Sequence, residues 1–115
     1  MFFNTVFVGL SVNELATTRD WFDRFFGRPA DVVVSDVEVM WQMTDGARLY
    51  VVQDAPPRTF ATVVLAVDDL DDALAVLAGR GLEPGELEVV ASAGRKAYFT
   101  DPNGNEVVLA EIYEP

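Results

Sequence analysis

Any chemistry in this chain must be done with carboxylates, guanidinium groups, phenols and hydroxyls, because its 115 residues include neither histidine nor cysteine. The missing thiols exclude disulfide frameworks, thiolate nucleophiles, iron–sulfur clusters and cysteine-bound zinc. The missing imidazoles remove the side chain that most often serves as general base or metal ligand near neutral pH. A metal ion would have to rest on carboxylates, carbonyls and water, which suits calcium or magnesium better than zinc or iron. Two segments resemble such sites at first sight. In Asp68-Asp69-Leu70-Asp71-Asp72 the carboxylates open a helix, where they cap free N–H groups and complement the macrodipole. Asp101-Pro102-Asn103-Gly104-Asn105 has the residue types of a turn rather than of a calcium loop. No nucleophile–base pair stands out, so no catalytic residue is assigned.

The charge balance, 19 acidic against 8 basic residues, gives a net charge of −11. Such a surface repels phosphate backbones and argues against a nucleic-acid partner. It concentrates cations and basic small molecules, and it also keeps a protein soluble. Half of the residues are apolar, enough for a folded domain despite the charge. The uncharged opening, Met1 to Asn13, has no basic n-region and runs straight into Glu14. It reads as a buried first strand and not as a signal peptide, and no stretch approaches a membrane span. A cytoplasmic location without a membrane partner is the expectation.

These residues sit on a pattern that occurs twice. Val8-x-Leu10-x-Val12-Asn13-Glu14-Leu15 answers Val63-x-Leu65-x-Val67-Asp68-Asp69-Leu70, each an alternating strand running through an acidic or amide N-cap into a helix. The spacing predicts helices over 14–26, with Leu15, Thr18, Phe22 and Phe25/Phe26 inward, and over 70–79, with Leu70, Ala73, Leu74 and Leu77 inward. Three strand-like runs follow each helix: 31–35, 37–43 and 48–54, then 86–92, 95–100 and 106–113. The chain thus reads as one α+β domain made of two tandem βαβββ modules, 1–54 and 60–115, joined by a stiff linker at 55–59. The modules are expected to form a curved mixed sheet around a concave cleft, with the helices outside.

The run Phe99-Thr100-Asp101-Pro102-Asn103-Gly104-Asn105-Glu106-Val107-Val108-Leu109 resembles the closing hairpin of the vicinal oxygen chelate superfamily. That superfamily comprises glyoxalase I, extradiol dioxygenases and fosfomycin- and bleomycin-resistance proteins. Val12-Asn13-Glu14-Leu15, Trp21-Phe22 and Phe25-Phe26-Gly27 are similar to its first helix and terminal glycine, and the resemblance spans essentially the whole chain. It implies a divalent ion held by residues of the first and last strand of each module. Carried onto this sequence, those positions are Phe7, Tyr50, Thr62 and Val108. Hydrocarbon offers no lone pair and a neutral hydroxyl is a weak donor, whereas a transition metal needs three or four good donors at about 2 Å. No metal and no cofactor are therefore expected, and only the cleft carries over.

Strand alternation sorts the cleft lining from the core. Val6, Val8, Leu10, Val12, Leu49, Val51, Val63, Leu65, Val107 and Leu109 should face the helices. The expected ligand-binding set is Phe7, Glu38, Met40, Gln42, Arg48, Tyr50, Thr62, Val64, Tyr98, Glu106 and Val108. Arg48 would either pair with a carboxylate or face an open, wet cleft. Aromatic faces stack on flat rings and attract cations, and a carboxylate such as Glu38 can fix an amine. Bleomycin-resistance proteins of the superfamily are small, acidic, metal-free dimers that hold a drug in aromatic-lined clefts. By resemblance, the chain is read as a homodimeric, metal-independent binding protein that sequesters a cationic or aromatic antibiotic. The alternatives are a metal-independent lyase or isomerase of the same superfamily, using Glu38, Glu106 or Tyr50 for proton transfer, and a non-catalytic structural or regulatory module.

Overall fold

The computed structural model describes residues 1–56 and 61–113. The chain divides into two units, Met1–Ala61 and Thr62–Pro115. Each unit repeats the order strand, helix, three strands, for the same physical reason. Parallel partners cannot be joined by a tight turn, so a helix carries the chain across after the first strand. Unit 1 contains β1 (Val6–Val12), α1 (Leu15–Phe26), β2 (Val32–Ser35), β3 (Glu38–Thr44) and β4 (Ala47–Gln53). Unit 2 contains β5 (Thr62–Ala66), α2 (Leu70–Gly79), β6 (Glu86–Val90), β7 (Gly94–Thr100) and β8 (Glu106–Ile112). The two four-stranded sheets have orders β1-β4-β3-β2 and β5-β8-β7-β6. In each, the first listed pair is parallel and the others antiparallel. Of the expected linker, 57–59 lies outside the described residues, as does the first residue expected for module 2. Among the described residues, no helix is long and apolar enough to cross a membrane.

In unit 1 the helical repeat buries Leu15, Thr18, Trp21, Phe22 and Phe25 against the sheet. Leu10, Val12, Val39, Trp41, Leu49 and Val51 lie beneath them, fully buried. Phe22 and Phe26 approach Trp41 with ring centroids 6.0 and 5.0 Å apart, and the Trp41 indole N–H donates to the Arg28 carbonyl at 3.1 Å. Trp21 belongs to the inward stripe, a position the pattern analysis did not include, and Phe26 is only half-buried. Val6 is a second correction. It has the core-facing parity but is 58% exposed, because it starts its strand beyond the reach of α1. Gly27 ends α1 in the left-handed conformation at φ 76°, with its N–H returned to the Asp23 carbonyl.

In unit 2 the shorter α2 buries Leu70 and Leu77, and the underlying sheet contributes Ala97, Phe99, Val107 and Leu109. Ala73 and Leu74 are half-buried, so the inward stripe is narrower than the spacing predicts. The helices also start differently from one another. Asp69 caps α2, its side chain accepting the Asp72 N–H at 3.1 Å. Glu14 occupies the corresponding place at α1 but makes no side-chain cap. Side chains from the last strand supply a common solution. Gln53 Oε1 accepts the Leu15 N–H at 3.0 Å, and Glu111 Oε1 accepts the Leu70 N–H at 2.9 Å.

The turn between β7 and β8 is clasped from within. Asp101 and Asn105 are buried, and the Asp101 carboxylate accepts the Asn103 N–H, the Asn105 N–H and the Asn105 side-chain amide, all within 2.9 Å. A carboxylate saturated in this way locks the turn and leaves no cation to be inferred.

Candidate functional site

Residues paired across strands project on the same face of a sheet. In unit 1, β1–β4 pairing sets Phe7 beside Arg48 and Gly9 beside Tyr50, while β3–β4 pairing sets Gln42 beside Arg48, Met40 beside Tyr50 and Glu38 beside Val52. Leu49, Val51 and Trp41 point to the α1 side, so these residues occupy the opposite face. Phe7 is 53% exposed, Arg48 is exposed, and Glu38, Met40, Gln42 and Tyr50 are half-buried.

The polar groups of this face form a chain that fixes the guanidinium. Gln42 donates from its amide to the Thr44 carbonyl and accepts the Arg48 Nε–H at 2.9 Å. The Arg48 guanidinium carbon lies 5.7 Å from the Phe7 ring centroid, within cation–π range. Among the described residues, no carboxylate meets Arg48. Among those residues its two Nη groups also make no hydrogen bond. Tyr50 lies across the neighbouring strand. A Cβ built on Gly9 would come within 2.3 Å of the phenol Cζ and Oη, so the absence of a side chain at Gly9 gives the ring its place.

The matching face of unit 2 has a different character. Thr62 stands beside Glu106, Val64 beside Val108, and Tyr98 beside Val108. The Thr62 hydroxyl donates to the Glu106 carboxylate at 2.9 Å, and the Tyr98 hydroxyl donates to Glu88 at 2.8 Å. The bond to Glu88, followed by burial and the charges of Glu86 and Glu106, holds the Tyr98 phenol above its ordinary pKa. Val64 is exposed, but Val108 is 1% exposed and contributes packing rather than a surface for a ligand. Ala110, two residues further along β8 and on the same face, is likewise buried. The carboxylates here already accept bonds from hydroxyls of the chain itself.

The positions that the resemblance assigns to a metal carry Phe7 and Tyr50 in unit 1, Thr62 and Val108 in unit 2. Register gives each pair one face of its sheet, but the side chains do not fit a divalent ion. A phenyl and an isopropyl group have no donor atom, the Thr62 hydroxyl is engaged by Glu106, and a single neutral phenol is a poor ligand. Among the described residues, no group of three or more carboxylates is placed to hold a metal.

A family model described as the Glyoxalase/Bleomycin resistance protein/Dioxygenase superfamily matches residues 5–109. The chain belongs to this superfamily. A solved glyoxalase/bleomycin resistance protein from Catenulispora acidiphila is 28% identical, with 95% of this chain and 98% of that one covered at a TM-score of 0.88. Lactoylglutathione lyase from Agrobacterium tumefaciens shares the fold at 16% identity and a TM-score of 0.75, covering 92% of this chain and 91% of its own. So does Oxidase ChaP-H2, at 19% identity and a TM-score of 0.73, covering 100% of this chain and 96% of its own. No curated protein matches the sequence.

Several residues that shape this superfamily member lay outside the expected set. Glu111 caps α2 and also accepts the Arg95 Nη2–H at 3.3 Å, while Arg95 reaches Asp71 on α2 at 3.1 Å. These bonds, to Asp71 first and then Glu111, keep the Arg95 pKa above its usual value. The signal was available: Gln53 and Glu111 fall at the same step of the repeat. Unit 2 also has a hollow of about 270 Å³ beside the β6–β7 turn and the end of β8, lined by Val90, Ala93, Gly94, Lys96 and Ile112 among others. None of the expected ligand-binding residues lines it.

Proposed function

We propose that this protein is a metal-independent small-molecule binder that sequesters a flat, ring-bearing compound on the face of unit 1 carrying Phe7, Arg48 and Tyr50. The observation that carries this reading is the replacement of donor atoms by aromatic rings at Phe7 and Tyr50, one ring exposed and the other laid across Gly9. Ring stacking there is worth about 0.5–1.5 kcal/mol per pair beyond the area buried. Of the two ligand chemistries expected from sequence, the aromatic one has the stronger support. Capture of a cation would draw on the net charge of −11 and on Glu38, but the Arg48 guanidinium stands beside Phe7 on the same face and repels a like charge. Sequestration of an antibiotic of this shape remains within the proposal, as does assembly into a homodimer. Exposed apolar residues at Phe2, Phe3, Val33 and Leu87 supply surface for a second copy.

A second reading, a metal-independent enzyme, draws its support from the lyase and oxidase that share the fold. It would ask Tyr50 or Glu38 to move a proton without a partner base, which is a thin basis for a reaction.

The test is titration of chelator-treated protein with 2-naphthamide, followed by amide chemical shifts. Saturable shifts concentrated on β1 and β4, lost in Phe7→Ala, are the expected result. Binding that appears only after a divalent metal is added would overturn the reading.

A further inference from the structure

We infer that Arg48 makes the unit 1 face selective for a planar ring that bears a carboxylate. This rests on the ring-binding reading above and names the ligand class it takes. The guanidinium is held on two sides before any ligand arrives. Gln42, itself anchored to the Thr44 carbonyl, fixes the Nε edge, and the Phe7 ring supports one face. A surface arginine kept for solubility needs neither support, because a freely rotating side chain is solvated equally well. The edge left over is the pair of Nη groups, which make no hydrogen bond to any described residue. That is the geometry that takes a carboxylate with two parallel N–H···O bonds. The rings of Phe7 and Tyr50 lie on the same face, so one molecule can stack on a ring and present its acid group to Arg48.

The charge of the whole chain does not argue against an anion at this point. The acidic side chain sharing the face, Glu38, stands four residues along β3 from Gln42, about 13 Å away at strand rise. Charges beyond roughly 8 Å are largely screened at physiological ionic strength. The nearer carboxylate of Asp31, which accepts the Gln42 N–H at 2.7 Å, is paired with the Arg28 guanidinium at 3.1 Å.

The experiment compares 2-naphthoate with 2-naphthamide, which share a ring system and differ in the acid group, by titration of the full-length protein. The acid is expected to bind about tenfold more tightly than the amide, the smaller end of what a charge-assisted bond supplies. The ratio should fall to near one in Arg48→Gln and be only partly kept in Arg48→Lys, which retains the charge but not the fork. Arg24→Gln, which removes a charge from exposed α1, should leave the ratio intact. Equal affinity of acid and amide would overturn the inference while leaving ring binding standing. A preference that persists in Arg48→Gln would overturn the assignment to this residue. Failure of both compounds to bind would overturn this inference and the reading it rests on together.

Discussion

The two units follow one plan, yet they spend their side chains differently. Beneath α1 the core of unit 1 is aromatic: Trp21, Phe22 and Phe25 from the helix meet Trp41 from the sheet. Beneath α2 the core is aliphatic apart from Phe99, and two helix residues are buried. Unit 2 compensates with polar ties, the Asp101–Asn105 clasp and the Arg95–Asp71–Glu111 network. On the opposite sheet faces the contrast turns around. Unit 1 leaves rings uncovered and a guanidinium edge with no hydrogen bond among the described residues, whereas unit 2 closes Glu106 and Tyr98 with bonds of its own. A duplicated fold can therefore treat equivalent positions differently, with one copy leaving the face open and the other turning it into structure.

The largest effect should come from the aromatic core. Trp41→Ala is expected to cost about 4 kcal/mol, while Leu77→Ala in unit 2 should cost about 2–3. Urea denaturation of both variants checks the order, and a greater loss at Leu77 would break the contrast between the cores. The clasp comes next. Asp101→Ala leaves two backbone N–H groups and the Asn105 amide without their acceptor and should cost about 2–3 kcal/mol. No counterpart exists among the described residues of unit 1, where Asp45-Gly46 makes the shorter connection between β3 and β4.

A third effect is electrostatic and belongs to unit 1. The Arg28 guanidinium, helped by the Gln42 N–H, holds the Asp31 carboxyl below its ordinary value of 3.8. A carboxyl depressed on folding contributes stability that is present above that value and lost as pH falls through the folded one. Thermal melts from pH 5 downward should show an acid-side decline that Asp31→Asn makes shallower. An unchanged slope would remove Asp31 from the account of unit 1. The smallest effect on stability is expected at Gly9. Gly9→Ala pushes only the far end of the Tyr50 ring and should cost about 1 kcal/mol, yet it should weaken 2-naphthamide binding severalfold.

The repeat made most of this fold legible in the sequence. Alternation at 6–12 and 62–66 marked the first strands, Gly27 marked the end of α1, and the residue types of 101–105 marked the last turn. Faces were legible because a period of two fixes them, as the shared side of Phe7, Arg48 and Tyr50 shows. Depth was not, since it depends on how far a helix reaches. Val6 has the core parity and lies exposed, while Val108 has the open-face parity and lies buried. Partners between distant side chains were the least visible part. The Gln53 bond to the start of α1 shows only when the two repeats are set side by side, and the Tyr98 bond to Glu88 leaves no local trace in composition or period.

The measurement that bears most directly on ring binding without a metal is calorimetric titration of 2-naphthoate into chelator-stripped protein, repeated after zinc, nickel or manganese is restored. The expected result is saturable binding of equal affinity in every sample, lost in the Phe7→Ala, Tyr50→Ala double variant. Affinity that depends on the restored ion, or one ion per chain retained through chelation, would contradict it.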